Sequence, residues 1–340
     1  MKKLLTITLA LVMVLAMGAL ASAEGLVVAF SQIGAESDWR TANTDDVNAA
    51  IEAEGWTLVY DDAQQKSENQ VKALNNFITQ GVDYIVFTAN DAAGFGDILK
   101  QVNEEGIPLV LIDRFPDAAR DGSIDYTAYF GGDFPEEGAR SVRWLANYLE
   151  KEGRAEEEIN IVMLEGTIGA DAQVGRSKGI LAELENHPNF KLIDKNTGDF
   201  TRAVGQAVME SFLKSHDDID VLIAQNDDMA LGAIDAIKAA GKVPGKDIII
   251  IGIDGVKAAF EAIIAGEMNC TVECTPLMGS FVVDTIKRLE AGETFEGDDK
   301  TIHPIEGVFC ADGDIVYGAD ADGNELKSVK AEDVIAERKY

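Results

Sequence analysis

Short apolar runs that alternate with amphipathic stretches constrain this chain more than any other feature. The runs are LVVAF (26–30), TLVYDD (57–62), YIVFTA (84–89), PLVLID (108–113), INIVML (159–164), FKLID (190–194), DVLIAQ (220–225) and DIIIIGID (247–254). Helical periodicity fills the gaps, for example over 41–54, 67–80 and 204–214. A strand that is apolar along its whole length is buried on both faces, which requires a parallel sheet covered by helices on both sides. The expected class is α/β.

The chain also repeats itself. One stretch from Val82 and another from Ile219 each read as strand, Asn-Asp turn, helix, then a strand ending in aspartate, Asp113 in one and Asp254 in the other. Two Rossmann-like domains of like topology explain the repeat. YFGGDFP (129–135) reads as a crossing between them, and the helical pattern that restarts at 278–289 implies a return near Thr275-Pro276. The expected lobes are 24–131 plus 276–304 and 132–275 plus 305–340, with a ligand cleft between them.

The first residues read as a secretory signal peptide over 1–23. Lys2-Lys3 precede an apolar run, and Ala21-Ser22-Ala23 is a small-residue cleavage site without the cysteine of a lipoprotein. The expected location is periplasmic or extracellular. The net charge of −31 becomes −33 without Lys2 and Lys3, leaving 27 basic against 60 acidic residues. A chain this acidic repels phosphate backbones, so nucleic acid is not an expected partner. Cys270 and Cys274 share one strand face but are too far apart to bridge. Cys310 pairs with one of them only if its segment lies alongside; buried free thiols are the expectation.

In open parallel sheets, ligands sit at the carboxyl ends of the strands. The polar residues that fall there decide the chemistry. No G-x-x-x-x-G-K-[ST] or G-x-G-x-x-G follows a strand, so no nucleotide loop is indicated. His187, His216 and His303 are scattered, and Gly323 stands fourth from Asp320 where a calcium loop needs its glycine sixth. Neither metal nor cofactor is expected. Asp113 and Asp254 could act as the acid–base pair of a secreted glycoside hydrolase. The same carboxylates also suit a non-catalytic sugar site, because a carboxylate accepts from adjacent hydroxyls, a guanidinium donates as a planar fork, an amide does both, and an aromatic ring covers the C–H face. The kit is present in Trp39, Asp113, Arg114, Arg176, Phe200, Asn226 and Asp254. Plain readings stand beside it. Asn226 or Asp227 is equally a helix N-cap, Arg176 a surface residue, Phe200 core, and Arg114 a partner of Asp117.

FSQIGAESDWR, DAQQKSENQ, LIDR, EGTIGADAQVGRSKG, TGDFTR, NDDMALGAI, GIDG and ECTP together resemble the periplasmic sugar-binding proteins of ABC transporters, of the ribose-binding type. The likeness runs through nearly the whole chain after residue 23. It implies a type I periplasmic binding protein: two lobes joined by a multi-strand hinge, monomeric, with no enzymatic activity. Such a protein captures a monosaccharide by hinge closure and delivers it to a membrane permease. A chemoreceptor-coupled sensor is compatible with the same likeness. Carried over, Trp39 and Phe200 sandwich the sugar, Asp113 and Arg114 are the polar pair of the first lobe, and Arg176, Asn226 and Asp254 bind hydroxyls from the second. Asn226 holds the ligand, while one or both following aspartates cap the helix or support the wall. Arg202 resembles a second basic group near Phe200. ESDWR with GDFTR points to the galactofuranose-binding branch, and so to galactofuranose or a related aldose. Ribose binders carry a glutamine where this chain has Cys274, with Glu273 beside it, which leaves the role of Glu273 open. Arg40 stands where the ribose type has a second aromatic. It either reaches exocyclic hydroxyls beside the Trp39 face, favouring a furanose, or starts the helix at 41–54 and faces water.

Overall fold

The computed structural model describes residues 25–340; the expected signal peptide, 1–23, lies outside them. Two sheets carry the chain. The first contains β1 (Val27–Gln32), β2 (Thr57–Asp62), β3 (Tyr84–Phe87), β4 (Leu109–Ile112), β5 (Ala128–Phe130) and β11 (Thr301–Ile302), in the order β11-β5-β4-β3-β1-β2. The second contains β6 (Ile159–Glu165), β7 (Phe190–Thr197), β8 (Val221–Ala224), β9 (Ile249–Asp254), β10 (Cys270–Glu273), β12 (Val308–Cys310) and β15 (Val329–Lys330), in the order β15-β12-β10-β9-β8-β6-β7. Every pairing of the first sheet is parallel. In the second, β10 and β12 run antiparallel. The α/β class stands. Strands β3, β4, β8 and β9 are buried at every residue, which is why their sequences are continuous apolar runs rather than alternating ones.

The chain passes between the sheets three times: after β5, after β10 and between β11 and β12. After the first passage the helix Phe134–Lys151 packs on the helix Asp171–Leu184 of the second sheet. After the second, the helix Gly279–Glu290 returns to the helix Asp38–Ala53 of the first. The carboxyl ends of both sheets meet along these passages. Among the described residues no helix is long and apolar enough to cross a membrane.

Local polar chemistry moved several element boundaries. The helix expected over 41–54 spans Asp38–Ala53, because the Ser37 side chain accepts from Arg40 N at 3.1 Å and caps it three residues earlier. Trp39 and Arg40 therefore lie on the helix. Likewise Thr201 accepts from Val204 N at 3.3 Å and starts the helix Arg202–Ser215. Strand β1 continues past its apolar run into Ser31 and Gln32, and Gln32 Nε2 is held by Asn43 Oδ1 at 2.9 Å.

The tail after Cys310 adds the hairpin β13 (Val316–Ala319) and β14 (Glu325–Lys327), and then β15, which pairs with β12. It also settles what Glu273 touches: Arg338 Nη1 donates to its Oε1 at 2.7 Å and Gly307 N to its Oε2 at 3.1 Å. Glu273 thus ties the C-terminus to two of the passages. The Cys310 segment does lie alongside Cys270, in antiparallel register, and all three thiols are buried and free.

Candidate functional site

Between the carboxyl ends of the two sheets lies a small cavity. From the first sheet's side, Trp39, Arg40, Asp113 and Arg114 line it, with Glu36 beside them. Arg176, Phe200, Asn226 and Asp254 line it from the second, and Cys274 lies at the passage between. Eight of the nine expected site residues are thus brought together. Arg202 is not: it is half exposed and donates to Asp228 Oδ1 at 2.9 Å and to Asp38 Oδ2 at 3.2 Å. At the start of its helix, its side chain lies along the lobe boundary and is not among the residues that line the cavity.

Arg40 is fully inside, 2% exposed, which removes the water-facing alternative. Its Nη1 lies 2.7 Å from Asp113 Oδ2 and its Nε 3.0 Å from Glu36 Oε1, while its guanidinium stacks 4.6 Å from the Trp39 ring centroid. Burial pulls the Arg40 pKa down, but the Asp113 and Glu36 carboxylates more than offset this and hold it above its ordinary value. Arg114, by contrast, is lowered by burial and by the like charge of Arg40. Its Nη1 donates to Asn90 O at 3.1 Å. Trp39 is fixed across the lobes, its Nε1 donating to Cys274 O at 2.6 Å. Arg114 is therefore a cavity residue and does not pair with Asp117, whose partner is Arg120.

On the other wall, Arg176 Nε donates to Glu137 Oε2 at 2.7 Å, its Nη1 to the Gln225 carbonyl, and its Nη2 lies 3.4 Å from Asp254 Oδ1. Arg176 is 3% exposed, so it is no surface residue. Burial raises the Asp254 pKa well above the carboxylate range, against the opposing pull of Arg176. Guanidiniums from both lobes flank Phe200, Arg114 at 5.2 Å and Arg176 at 5.9 Å from its ring centroid. The ring occupies the space a Cβ at Gly166 would need, so that position admits only glycine if Phe200 is to stay.

The Asn-Asp-Asp seam divides its work. Asn226 is the N-cap of the helix Asp227–Ala239: its Oδ1 accepts from Met229 N at 3.0 Å, and its Nδ2 donates to Phe200 O at 3.1 Å. The cap and the cavity lining are the same residue. Asp227 accepts from Gly255 N, Val256 N and Thr271 Oγ1 at 2.8–3.0 Å and so shapes the loop after Asp254. Asp228 accepts from Asp38 N at 2.9 Å across the lobes. Asp113 (φ 57°), Phe200 (φ 58°) and Asp254 (φ 134°) all have positive φ, a conformation that costs roughly 1–3 kcal/mol for such residues and is kept where side chains must be aimed.

Glu36 and Glu137 are the residues the sequence reading missed. Glu36 lies four positions before Arg40 in the same quoted stretch, a helix-like spacing that was legible. Glu137 opens a helix remote from the cavity in sequence, and nothing local marks it. Glu36 Oε2 and Arg114 Nε are buried and have no hydrogen-bond partner among the described residues. Both residues line the cavity. The site is thus a small cavity between the sheets with three guanidiniums, paired carboxylates, an amide and two aromatic faces. That set matches a ring of hydroxyls, each both donor and acceptor.

A family model for the periplasmic binding protein domain matches residues 28–294. The chain is 41% identical over 282 residues to the galactofuranose-binding protein YtfQ of Escherichia coli strain K12, covering 82% of this chain and 86% of that protein. A crystal structure from Mycobacterium smegmatis in complex with β-D-fucofuranose superposes with a TM-score of 0.79 at 41% identity, covering 84% of this chain and 91% of that one. The periplasmic component of the arabinose ABC transporter from Shewanella sp. ANA-3, bound to α- and β-L-arabinofuranose, gives 0.77 at 39%, with the same coverage. With a match over most of its length and a cavity between two parallel-sheet lobes, this chain belongs to the periplasmic binding protein family, whose members bind solutes and are not enzymes.

Proposed function

We propose that this protein captures one monosaccharide in the cavity between its lobes, selects the furanose form, and hands the sugar unchanged to the membrane permease of an ABC transporter. The observation that carries the reading is the buried Arg40–Asp113–Glu36 network against the Trp39 face. A flat wall beside a forked donor suits a small ring with a hydroxylated tail. The similar proteins that bind galactofuranose, fucofuranose and arabinofuranose support the same ring form. Galactofuranose or a related aldose is the sugar class. The lobes are 24–131 plus 276–304 and 132–275 plus 305–340, and the chain acts as an exported monomer after loss of 1–23. Bonds that already cross the lobes, such as Asp38 N to Asp228 and Ala92 N to Gly169 O at 3.1 Å, are those a closed form makes.

Calorimetry with D-galactose, D-fucose, L-arabinose, D-ribose and D-fructose tests this reading. The expected result is 1:1 binding of at least one of the first three, with the sugar recovered unaltered. Binding of none, or recovery of a cleaved or oxidised product, contradicts it.

A further inference from the structure

Glu306 is a buried acid that the cavity does not use. It lies on the passage between β11 and β12, 2% exposed. Its Oε1 accepts from Thr275 N at 3.0 Å, and its carbonyl accepts from Arg140 Nη1 at 2.8 Å. Glu137, in the first turn of the helix Phe134–Lys151, is fully buried. One side-chain atom each of Glu137, Cys274 and Glu306 lie within 4.8 Å of one another. Glu137 Oε2 is bonded to Arg176, but its Oε1 is buried without a donor among the described residues. Two acids from different passages therefore meet where one acceptor lacks a hydrogen.

Arg176, from the helix Asp171–Leu184, is shared between Glu137 and Asp254 at the end of β9. Arg140, on the same helix as Glu137, is bonded to Glu136 Oε1 at 3.1 Å. Glu273 of β10 is paired with Arg338. The Cys274 thiol is pushed up by burial and by Glu137, which favours its neutral form. Two adjacent buried carboxylates with this supply of cations do not both ionise at low cost. A proton on Glu306, donated to Glu137 Oε1, supplies the missing hydrogen bond and removes the repulsion.

We propose that Glu306 and Glu137 share one proton across the passages between the lobes, and that this proton keeps Glu137 aimed at Arg176 and thereby keeps Arg176 in the cavity. Both are positioning residues. Burial first, and then the Glu137 carboxylate, push the Glu306 pKa well above the carboxylate range, in keeping with the shared proton. Because that pKa is raised on folding, the stabilisation is complete below the ordinary glutamate value and is lost as pH rises through the folded value. Loss of the proton sets two carboxylates against each other and loosens the Glu137–Arg176 pair, so sugar affinity falls on the alkaline side. The affinity consequence rests on the sugar-capture reading; the shared proton does not.

The test has two arms. In the first, 13C NMR of protein labelled at the glutamate carboxyl carbon is followed against pH. One glutamate still protonated at about pH 7 is expected, against an ordinary value near 4.3, and its signal disappears in Glu306→Gln. No protonated glutamate at neutral pH overturns the proposal, as does one divalent metal ion per chain by elemental analysis. In the second, affinity for whichever of D-galactose, D-fucose or L-arabinose binds most tightly is measured from about pH 6 to about pH 9. Wild type is expected to lose roughly tenfold. Glu306→Gln, whose amide donates at every pH, loses less. Identical profiles overturn the proposal. Absence of sugar binding at every pH would instead sink the sugar reading and leave the glutamate signal to stand by itself. The wild-type NMR arm decides the matter even if Glu306→Gln does not fold.

Discussion

Arg40 occupies the third position of its helix, where a positive charge opposes the helix dipole. Glu36 and Asp113 make that placement tolerable, each taking a different edge of the guanidinium. A lysine there would keep the charge and lose the fork. Arg40→Lys is expected to weaken binding of the preferred aldose by about tenfold or more, and to lower the unfolding free energy by about 1–3 kcal/mol because a buried carboxylate is left short of a donor. Calorimetry and urea unfolding measure the two, and unchanged affinity would remove Arg40 from the sugar site. Phe200 shows the same interdependence. Its ring needs the bare backbone of Gly166, and its carbonyl is held at positive φ by Asn226.

At the scale of elements, the seams between strand and helix carry both the function and a pH dependence. Asp227, behind the loop that follows β9, has its pKa raised to about 7, chiefly by burial, against the pull of its bonds from Thr271, Val256 and Gly255. A raised pKa on folding means stability that is present below the ordinary aspartate value and declines as pH rises through about 7. Urea unfolding at about pH 5 and about pH 8 is expected to show higher stability at the lower pH, and Asp227→Asn to flatten that difference. An equal slope in both proteins contradicts the assignment. The strands and their parallel order were legible because burial on both faces leaves no polar alternation, and the strand-end aspartates stood out against those runs. Helix starts were less legible. Ser37 and Thr201 are ordinary N-caps, but the apolar periodicity that marks a helix begins a turn later. The dual role of Asn226 was half legible: its position announced a cap or a contact, and only the backbone path of Phe200 makes it both.

For the whole molecule, what holds the lobes together was largely invisible in the sequence. Asp38, Asp228 and Arg202 are far apart along the chain and become partners only when the sheets face each other. Glu137 reaches Arg176 for the same reason. Arg202 touches both lobes without touching the cavity, so Arg202→Ala is expected to speed sugar release without changing which sugar binds. For a half-exposed pair the effect is ~0.2–1 kcal/mol, at most about fivefold in Kd. Stopped-flow dissociation reads it, and a changed sugar preference would mean that Arg202 contacts ligand after all. The central claim is that the cavity between the lobes selects a five-membered sugar ring. In solution hexoses are mostly six-membered, so selection of the minor form reduces apparent affinity by the competent fraction. It leaves a direct record in the bound molecule. The decisive measurement is 13C NMR of D-galactose labelled at the anomeric carbon while bound to the protein. A furanose anomeric resonance in the bound state is the result the structure predicts, and a bound pyranose would contradict it.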